Sequence, residues 1–291
     1  MSVLPNFLVV GSAKSGTTTL CGALGRHPEI FVCEPKEPNF LAFDGVFDEG
    51  WDWYGSLFEN GRTHALRGEG SVAYSSPVYQ RTVISRIRRN FDELKIIYIV
   101  RNPIARMESA FKSMSTYGKH RENDDERWDD VPLTIEQAID QEVEDIVGES
   151  LYFERVSDFI KAFSRDQVHV LFLEDYRKDP VRELNACFDF LGARPWKDPA
   201  LEDLHLNASS NVRVRDTAVL KFMRDHMNST VRIGGRIPGV SSVLKSVLRP
   251  KFKEGRLMTK AVREKAWGRV YEDSRNLLDL CGKPKDFWCF D

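Results

Sequence analysis

The sequence predicts an α/β fold with three layers, α/β/α, around a central parallel sheet. Residues 7–10 and 95–100 form continuous apolar runs, which are typical of parallel strands covered on both faces. Segments with the apolar spacing of helices follow each run. Alternation of buried strands with helices favours a parallel sheet whose ligand site lies at the carboxyl ends of the strands.

The predicted elements alternate along the chain. A helix over residues 17–26 ends before His27-Pro28, and another begins at Pro103, because proline suits the first helical turn. We interpret the aromatic residues 51–58 as core packing, with stacking on a sugar as the alternative. The other predicted helices are residues 80–91, 135–147, an amphipathic run ending at Phe163, 179–191 and 259–280, and the other strands are 30–32 and 168–176.

Composition and charge exclude several classes of protein. The 291 residues are 42% hydrophobic and contain no long linker, so we predict one domain over residues 1–291. A net charge of −2 gives no reason to expect nucleic acid as a partner. The N-terminus lacks a signal pattern and no apolar run approaches a membrane span. We therefore predict a soluble, cytoplasmic protein with no membrane span and, without a secretory signal, reduced thiols.

The most informative stretch is the loop that follows the first apolar run. Gly11 and Gly16 bracket small residues and one lysine, Lys14, before a helix begins. Glycines let the backbone approach an anion, and the helix N-terminus supplies N–H donors to it, with hydroxyls from Thr17 and Thr18. The loop is therefore predicted to bind phosphate or sulfate, with an unliganded strand-to-helix turn as the alternative.

The position of the lysine decides between two classes of anion-binding loop. The glycine spacing matches a Walker A loop, but Thr17 stands where that motif has lysine. Lys14 lies inside the loop instead, and Lys-Ser-Gly-Thr-Thr resembles the 5′-phosphosulfate loop of sulfotransferases that use 3′-phosphoadenosine 5′-phosphosulfate (PAPS). The rival interpretation, a P-loop kinase or nucleotide hydrolase, also requires magnesium and a Walker B aspartate, where this chain has Val100-Arg101.

A second segment strengthens the resemblance. Lys36-Glu37-Pro38-Asn39-Phe40 is held extended by prolines and resembles the segment with the catalytic carboxylate in heparan-sulfate-type and related bacterial sulfotransferases. That resemblance implies Glu37 as general base and Lys36 as an acceptor contact. The family often has histidine where this chain has Asn39.

The third segment follows the apolar run 95–100. Arg101-Asn102-Pro103 through Ser109 resembles the element of these sulfotransferases that holds the 3′-phosphate. The resemblance implies Arg101 and Ser109 as ligands of that phosphate, with Arg106 as a structural residue. In the phosphosulfate loop it implies cofactor contacts from Lys14, Ser15, Gly16, Thr17 and Thr18.

Acceptor-side residues are implied by a weaker similarity. Residues 68–74 resemble the family's Glu-Lys-Ser-x-x-Tyr segment, which places Glu69, Ser71 and Tyr74 beside the acceptor, although Gly70 replaces the lysine. Late in the chain, Arg213 or Arg215 is a candidate nucleotide contact. The resemblance divides the domain into a nucleotide core, about residues 5–190, and an acceptor and C-terminal helical part, about 191–291.

The resemblance as a whole implies a P-loop NTPase-like sulfotransferase fold and a metal-free transfer reaction. PAPS is the expected donor and PAP, 3′-phosphoadenosine 5′-phosphate, the product. Lys14 would stabilise the leaving phosphate and Glu37 would take a proton from a hydroxyl or amine of a carbohydrate or small-molecule acceptor. A non-catalytic adenine-nucleotide-binding protein of the same fold is the further alternative.

Overall fold

The computed structural model describes residues 3–117, 134–196 and 257–289. Within these residues five strands form one sheet in the order β2-β3-β1-β4-β5, and every neighbouring pair is parallel. The strands are β1 Phe7–Gly11, β2 Ile30–Val32, β3 Leu66–Gly70, β4 Lys95–Val100 and β5 Val168–Phe172. The predicted parallel sheet is thus confirmed.

Helices connect the strands and cover the sheet. In chain order they are α1 Thr17–Leu24, α2 Asp44–Phe47, α3 Gly50–Ser56, α4 Gln80–Asn90, α5 Pro103–Tyr117, α6 Ile135–Asp140, α7 Tyr152–Phe163, α8 Leu173–Lys178, α9 Pro180–Leu191 and α10 Lys260–Leu280. Among these described helices, none is long and apolar enough to cross a membrane.

Alternate residues of the central strands point into two different cores. Leu8 and Val10 of β1 pack in one cluster with buried residues of α4, α7 and α10. Phe7 and Val9 pack in a second cluster with residues of α1 and α9. Because every residue of β1 is buried, both faces of the sheet are covered, and the predicted three-layer arrangement is confirmed.

The aromatic segment 51–58 packs in the core. Tyr54 and Phe58 have no exposed surface. The Tyr54 ring stacks on Phe40 with centroids 4.2 Å apart and planes 8° from parallel. The core-packing interpretation is therefore confirmed for these two side chains, and Trp51 and Trp53 pack partly buried against them.

Two predicted elements had wrong boundaries, and one strand was not predicted. The strand predicted over residues 168–176 ends at Phe172, and α8 begins at once at Leu173. The helix predicted over 135–147 ends at Asp140, and Glu142 takes a left-handed φ of 49°, which an α-helix cannot continue through. Strand β3 was not predicted at all, although it pairs with both β1 and β2.

Candidate active site at the carboxyl ends of the strands

The loop between β1 and α1, residues 12–16, has the geometry of an anion-binding site and is called the anion loop. Gly16 precedes α1 with a φ of 97°, and no side chain caps the helix N-terminus. A left-handed φ favours glycine, and the first N–H groups of an uncapped helix are open to an outside acceptor. Thr18 is exposed at this end of α1, whereas Thr17 is buried and its Oγ1 accepts a hydrogen bond from Lys36 Nζ at 3.4 Å.

Ser15 plays an internal part in the loop. Its side chain has no exposed surface, its Oγ lies 2.6 Å from Ser12 Oγ, and its N–H donates to the Ser12 carbonyl at 3.2 Å. The Ser12 N–H in turn donates to Ile99 of β4 at 2.7 Å. These bonds fix the anion loop to the sheet, so the Ser15 side chain stabilises the conformation of the loop.

Lys14 is the exposed lysine of the anion loop and has other cations nearby. It has a left-handed φ of 68°, keeps exposed surface, and donates from Nζ to Ser113 Oγ of α5 at 3.2 Å. Partial loss of water around its side chain lowers the pKa of Lys14, and the nearby charge of Arg106 lowers it further, while Glu37 raises it. A crowded cation bonded to a neutral hydroxyl is a suitable partner for an anionic ligand.

Arg101 faces the same loop from the end of β4. Its Nη1 donates to the Lys14 carbonyl at 3.2 Å, and its Nε is buried with no hydrogen-bond partner within the described part of the chain. Ser109 lies half-buried on α5, two turns into that helix. The structure therefore brings Arg101 beside the phosphosulfate-type loop and leaves guanidinium donor capacity for a ligand.

Arg106 is a structural residue. It has no exposed surface, and its guanidinium donates to Ser150 Oγ at 2.8 Å and to Glu149 at 3.1 Å. It also donates to the Ala13 carbonyl at 3.4 Å. With its donors committed to the protein, Arg106 ties α5 to the back of the anion loop, which agrees with the structural role predicted for it.

The segment carrying Glu37 lies next to the anion loop. Glu37 and Asn39 both have left-handed φ angles, 60° and 56°, so the prediction that this segment is extended is wrong at these two residues. The Glu37 carboxylate is ion-paired with Lys36, whose side chain is about a quarter exposed, while Glu37 itself is about a third exposed. Since Lys36 also reaches Thr17, this pair joins the carboxylate to the start of α1. The predicted base thus lies near the start of α1, and its charge raises the pKa of Lys14, the predicted leaving-group lysine.

The residues expected at the acceptor side have a different setting. Glu69, Ser71 and Tyr74 have no exposed surface, so the structure does not support the prediction that they contact an acceptor directly. Glu69 accepts hydrogen bonds from Ser71 Oγ at 2.7 Å, from Tyr54 Oη at 3.1 Å and from Tyr74 Oη. These residues form a buried polar cluster behind the Glu37 segment.

The absence of a lysine after Glu69 has a steric counterpart. A Cβ built at Gly70 would lie 2.4 Å from the Sγ of the buried Cys21. No real Cβ approaches another atom so closely, so a larger residue here would require Cys21 or the strand to shift.

Sequence reasoning missed two contributors to the site. Ser113, which contacts Lys14 Nζ, lies one helical turn beyond Ser109, and that i, i+4 spacing on one face of α5 is the signal that would have found it. Asn102 was not singled out either, yet its N–H donates to Glu174 at 2.8 Å and its Oδ1 accepts from Ala105 N–H at 3.2 Å. Asn102 thereby fixes the turn that follows Arg101. The predicted contacts Arg213 and Arg215 lie outside the described residues.

Within residues 3–117, 134–196 and 257–289, no three His, Cys, Asp or Glu side chains are grouped as a metal site requires.

A family comparison decides the class of protein. A family model described as "Sulfotransferase domain" matches residues 4–232. The chain belongs to the sulfotransferase family. The match contains every candidate residue described above, from the anion loop to Glu69 and Arg101.

Curated relatives of this sulfotransferase resemble it over part of their length. The membrane-associated sulfotransferase kil1 of Dictyostelium discoideum is 31% identical over 110 residues, which are 37% of this chain and 22% of the relative. Human heparan sulfate glucosamine 3-O-sulfotransferase 5 is 27% identical over 196 residues, which are 66% of this chain and 54% of the relative. The alignments thus span about half, or less, of these relatives.

Solved structures confirm the fold of this sulfotransferase. The sulfotransferase from Alicyclobacillus acidocaldarius superposes with a TM-score of 0.62 at 22% identity and covers 96% of each chain. The sulfotransferase domain from the curacin biosynthetic pathway gives a TM-score of 0.50 at 17% identity over 98% of this chain and 99% of the other. The predicted P-loop NTPase-like sulfotransferase fold is therefore confirmed.

The buried carboxyl of Glu69 makes the stability of this sulfotransferase depend on pH. Burial raises the pKa of Glu69 to about 7, against 4.5 for an ordinary glutamate, although hydrogen bonds from Tyr74, Ser71 and Tyr54 oppose the shift. Between these values the folded state keeps a proton that the unfolded chain has released, so the free energy of unfolding falls as pH rises.

We expect Glu69→Gln to remove that contribution. Denaturant unfolding of both proteins at about pH 5 and about pH 8 measures the effect, because every other titrating group is shared. The wild type should lose stability relative to the variant between the two pH values. A stability difference that is the same at both would contradict the raised pKa.

Proposed function

We propose that this sulfotransferase moves the sulfuryl group of PAPS to a hydroxyl or amine of a carbohydrate or small-molecule acceptor. The observation that carries the proposal is the meeting, at the carboxyl ends of β1, β3 and β4, of the Lys14 loop, the Glu37 segment and Arg101. These three segments resemble segments of PAPS-dependent sulfotransferases, and their proximity supports the proposal.

Each residue has a defined part in the proposed reaction. The loop amides at the start of α1 and Lys14 bind the 5′-phosphosulfate, and Arg101 with Ser109 binds the 3′-phosphate. The acceptor oxygen or nitrogen attacks sulfur in line, and its proton passes to the Glu37 carboxylate. As the new bond to sulfur forms, the bond from sulfur to the 5′-phosphate oxygen breaks. Lys14 stabilises the charge that develops on that leaving oxygen.

The class of acceptor is proposed from the relatives. Several curated relatives are named as heparan sulfate glucosamine 3-O-sulfotransferases, which makes a sugar hydroxyl the first candidate. A small natural product is the second candidate, since residues 68–74 lack the family's lysine at Gly70, a cation that would suit an anionic glycan.

The test is transfer of radiolabelled sulfate from PAPS without metal. The purified protein is incubated with labelled PAPS and EDTA, together with heparan sulfate, N-acetylglucosamine or p-nitrophenol as separate acceptors. We expect label in at least one acceptor and formation of PAP. Absence of both label transfer and PAP formation in every arm would overturn the proposal.

The assignment of Arg101 to the 3′-phosphate gives a prediction about nucleotide selectivity. Arg101→Ala should weaken binding of PAP about 10- to 100-fold, the usual loss for a charge-assisted hydrogen bond. Binding of 5′-AMP, which has no 3′-phosphate, should change far less. Calorimetric titration of both nucleotides measures the two effects. Arg89→Ala, an exposed arginine on α4, is the control, and equal losses for both nucleotides would contradict the assignment.

A further inference from the structure

A buried carboxylate lies directly behind the segment that carries Glu37. Glu69 is on β3, has no exposed surface, and accepts hydrogen bonds from three hydroxyls, those of Tyr54, Ser71 and Tyr74. Burying a carboxylate is costly unless its oxygens are fully hydrogen-bonded, and here both oxygens are used. The free energy spent on burying this carboxylate indicates that the cluster has a specific role.

Two of the three hydroxyls bond to the Glu37 segment on their other side. Ser71 Oγ accepts from the Asn39 N–H at 3.0 Å, and Tyr74 Oη accepts from the Leu41 N–H at 3.2 Å. A hydroxyl has one proton, so each of these hydroxyls can accept from the backbone only with its proton directed elsewhere. In both cases the proton is directed to Glu69. An ionised carboxylate can only accept, so above its pKa of about 7 Glu69 sets the direction of both hydrogen bonds.

The Glu37 segment, residues 37–41, has an unfavourable backbone conformation that these hydrogen bonds stabilise. Glu37 and Asn39 both have left-handed φ angles, a conformation that costs a non-glycine residue about 1 kcal/mol or more. The Glu37 N–H is held as well, by the Gly70 carbonyl at 3.2 Å. The backbone from Glu37 to Leu41 is thus fixed against residues 69–74 at three alternate amides.

We propose that Glu69 is a positioning residue, which fixes the backbone of the Glu37 segment through the hydroxyls of Ser71 and Tyr74. What that placement serves, proton removal by Glu37, rests on the proposed function. Glu69 has no exposed surface with which to contact an acceptor or a nucleotide. It acts on the reaction by keeping the Glu37 carboxylate beside the anion loop.

The cluster contains its own matched control. Tyr54 donates to the same Glu69 oxygen as Tyr74 does, but its ring stacks on Phe40, and its hydroxyl has no bond to the Glu37 segment among the described contacts. Tyr54→Phe and Tyr74→Phe therefore each remove one hydroxyl donor to the same Glu69 oxygen. Only the second change also removes the acceptor for the Leu41 N–H.

The first test is amide hydrogen exchange of the full chain without nucleotide or acceptor, at about pH 8, where Glu69 is mostly ionised. Ser71→Ala should speed exchange at Asn39, and Tyr74→Phe should speed it at Leu41, each about ten-fold, as expected for one lost hydrogen bond. Tyr54→Phe should leave both amides at wild-type rates, and Glu69→Gln should speed both. Equal effects of Tyr54→Phe and Tyr74→Phe on Leu41 would overturn the proposal, as would unchanged exchange in Glu69→Gln.

The second test is transfer of label from PAPS to the best acceptor found for the wild type. Ser71→Ala and Tyr74→Phe should lower kcat about ten-fold while KM for PAPS and the affinity for PAP stay unchanged, and Tyr54→Phe should keep wild-type kcat. A merely structural role would lower kcat in all three variants, in proportion to the stability that each has lost. Thermal unfolding measures that loss of stability. If the wild type itself neither binds PAP nor transfers sulfate, the proposed function fails, and hydrogen exchange alone decides the role of Glu69.

Discussion

Replacement of Lys14 by alanine is expected to remove most of the transfer activity. Lys14 lies at the mouth of the anion loop with Arg101 and Arg106 nearby. In the proposed mechanism it stabilises the charge that grows on the leaving phosphate oxygen. Loss of one such group costs about 10²- to 10³-fold in kcat. Transfer of label from PAPS, measured at saturating acceptor, gives the size of the effect.

The Lys14 prediction has two controls. Lys161→Ala removes a lysine that is 76% exposed on α7 and should leave kcat unchanged. Lys14→Arg keeps the charge but changes its geometry, so it should recover only part of the activity. If Lys14→Ala raised KM for PAPS and left kcat unchanged, Lys14 would contribute to ground-state binding, and its role at the leaving group would be wrong.

Replacement of Glu37 by glutamine is expected to separate catalysis from cofactor binding. The amide has nearly the same shape but cannot accept the acceptor's proton, so we expect transfer to fall about 10²- to 10⁴-fold. Binding of PAP should remain within about three-fold of wild type, since the loop amides, Lys14 and Arg101 are unchanged. Parallel transfer assays and calorimetric titrations measure the two quantities.

The control for Glu37 lies in the same segment. Glu34 is a carboxylate three residues earlier and is exposed, so Glu34→Gln makes the same chemical change at a residue with no proposed part in the reaction. We expect full transfer activity from it. Full activity in Glu37→Gln would contradict the assignment of the base, and equal loss in both variants would point to a general effect on the segment.

Strong periodic patterns in the sequence predicted most of the fold. The strand at residues 95–100 and the brief strand at 30–32 were predicted with their observed bounds. The predicted helix 80–91 differs from α4 by one residue. These segments carry their signal locally, because burial on both faces or on one helical face requires a particular order of apolar residues.

Strand β3 could not be predicted from its own sequence. Its sequence, Leu-Arg-Gly-Glu-Gly, has residues with low β propensity. It forms a strand because β1 and β2 lie on either side and provide partners for its backbone. The Phe7 ring lies against Gly68, where a Cβ would meet it at 2.3 Å. Tertiary contacts of this kind cannot be seen in the sequence of the strand alone.

The parts of the candidate site that a motif determines through backbone geometry were predictable. The parts that depend on hydrogen bonds between side chains were less so. The positions of Lys14, Glu37 and Arg101 followed from motifs at the ends of strands, and the structure places them together. The burial of Glu69 and the use of Ser15 inside the loop did not follow, because both depend on hydroxyl donors supplied from distant parts of the chain or across a turn.

We propose that this sulfotransferase binds a 3′,5′-bisphosphorylated adenosine without a metal. Calorimetric titration of the purified protein with PAP in metal-free buffer, beside ATP with magnesium, tests it most directly. We expect tight binding of PAP and none of ATP with magnesium. Binding of ATP with magnesium alone would overturn this proposal, since the loop from Gly11 to Gly16 would then bind a nucleoside triphosphate.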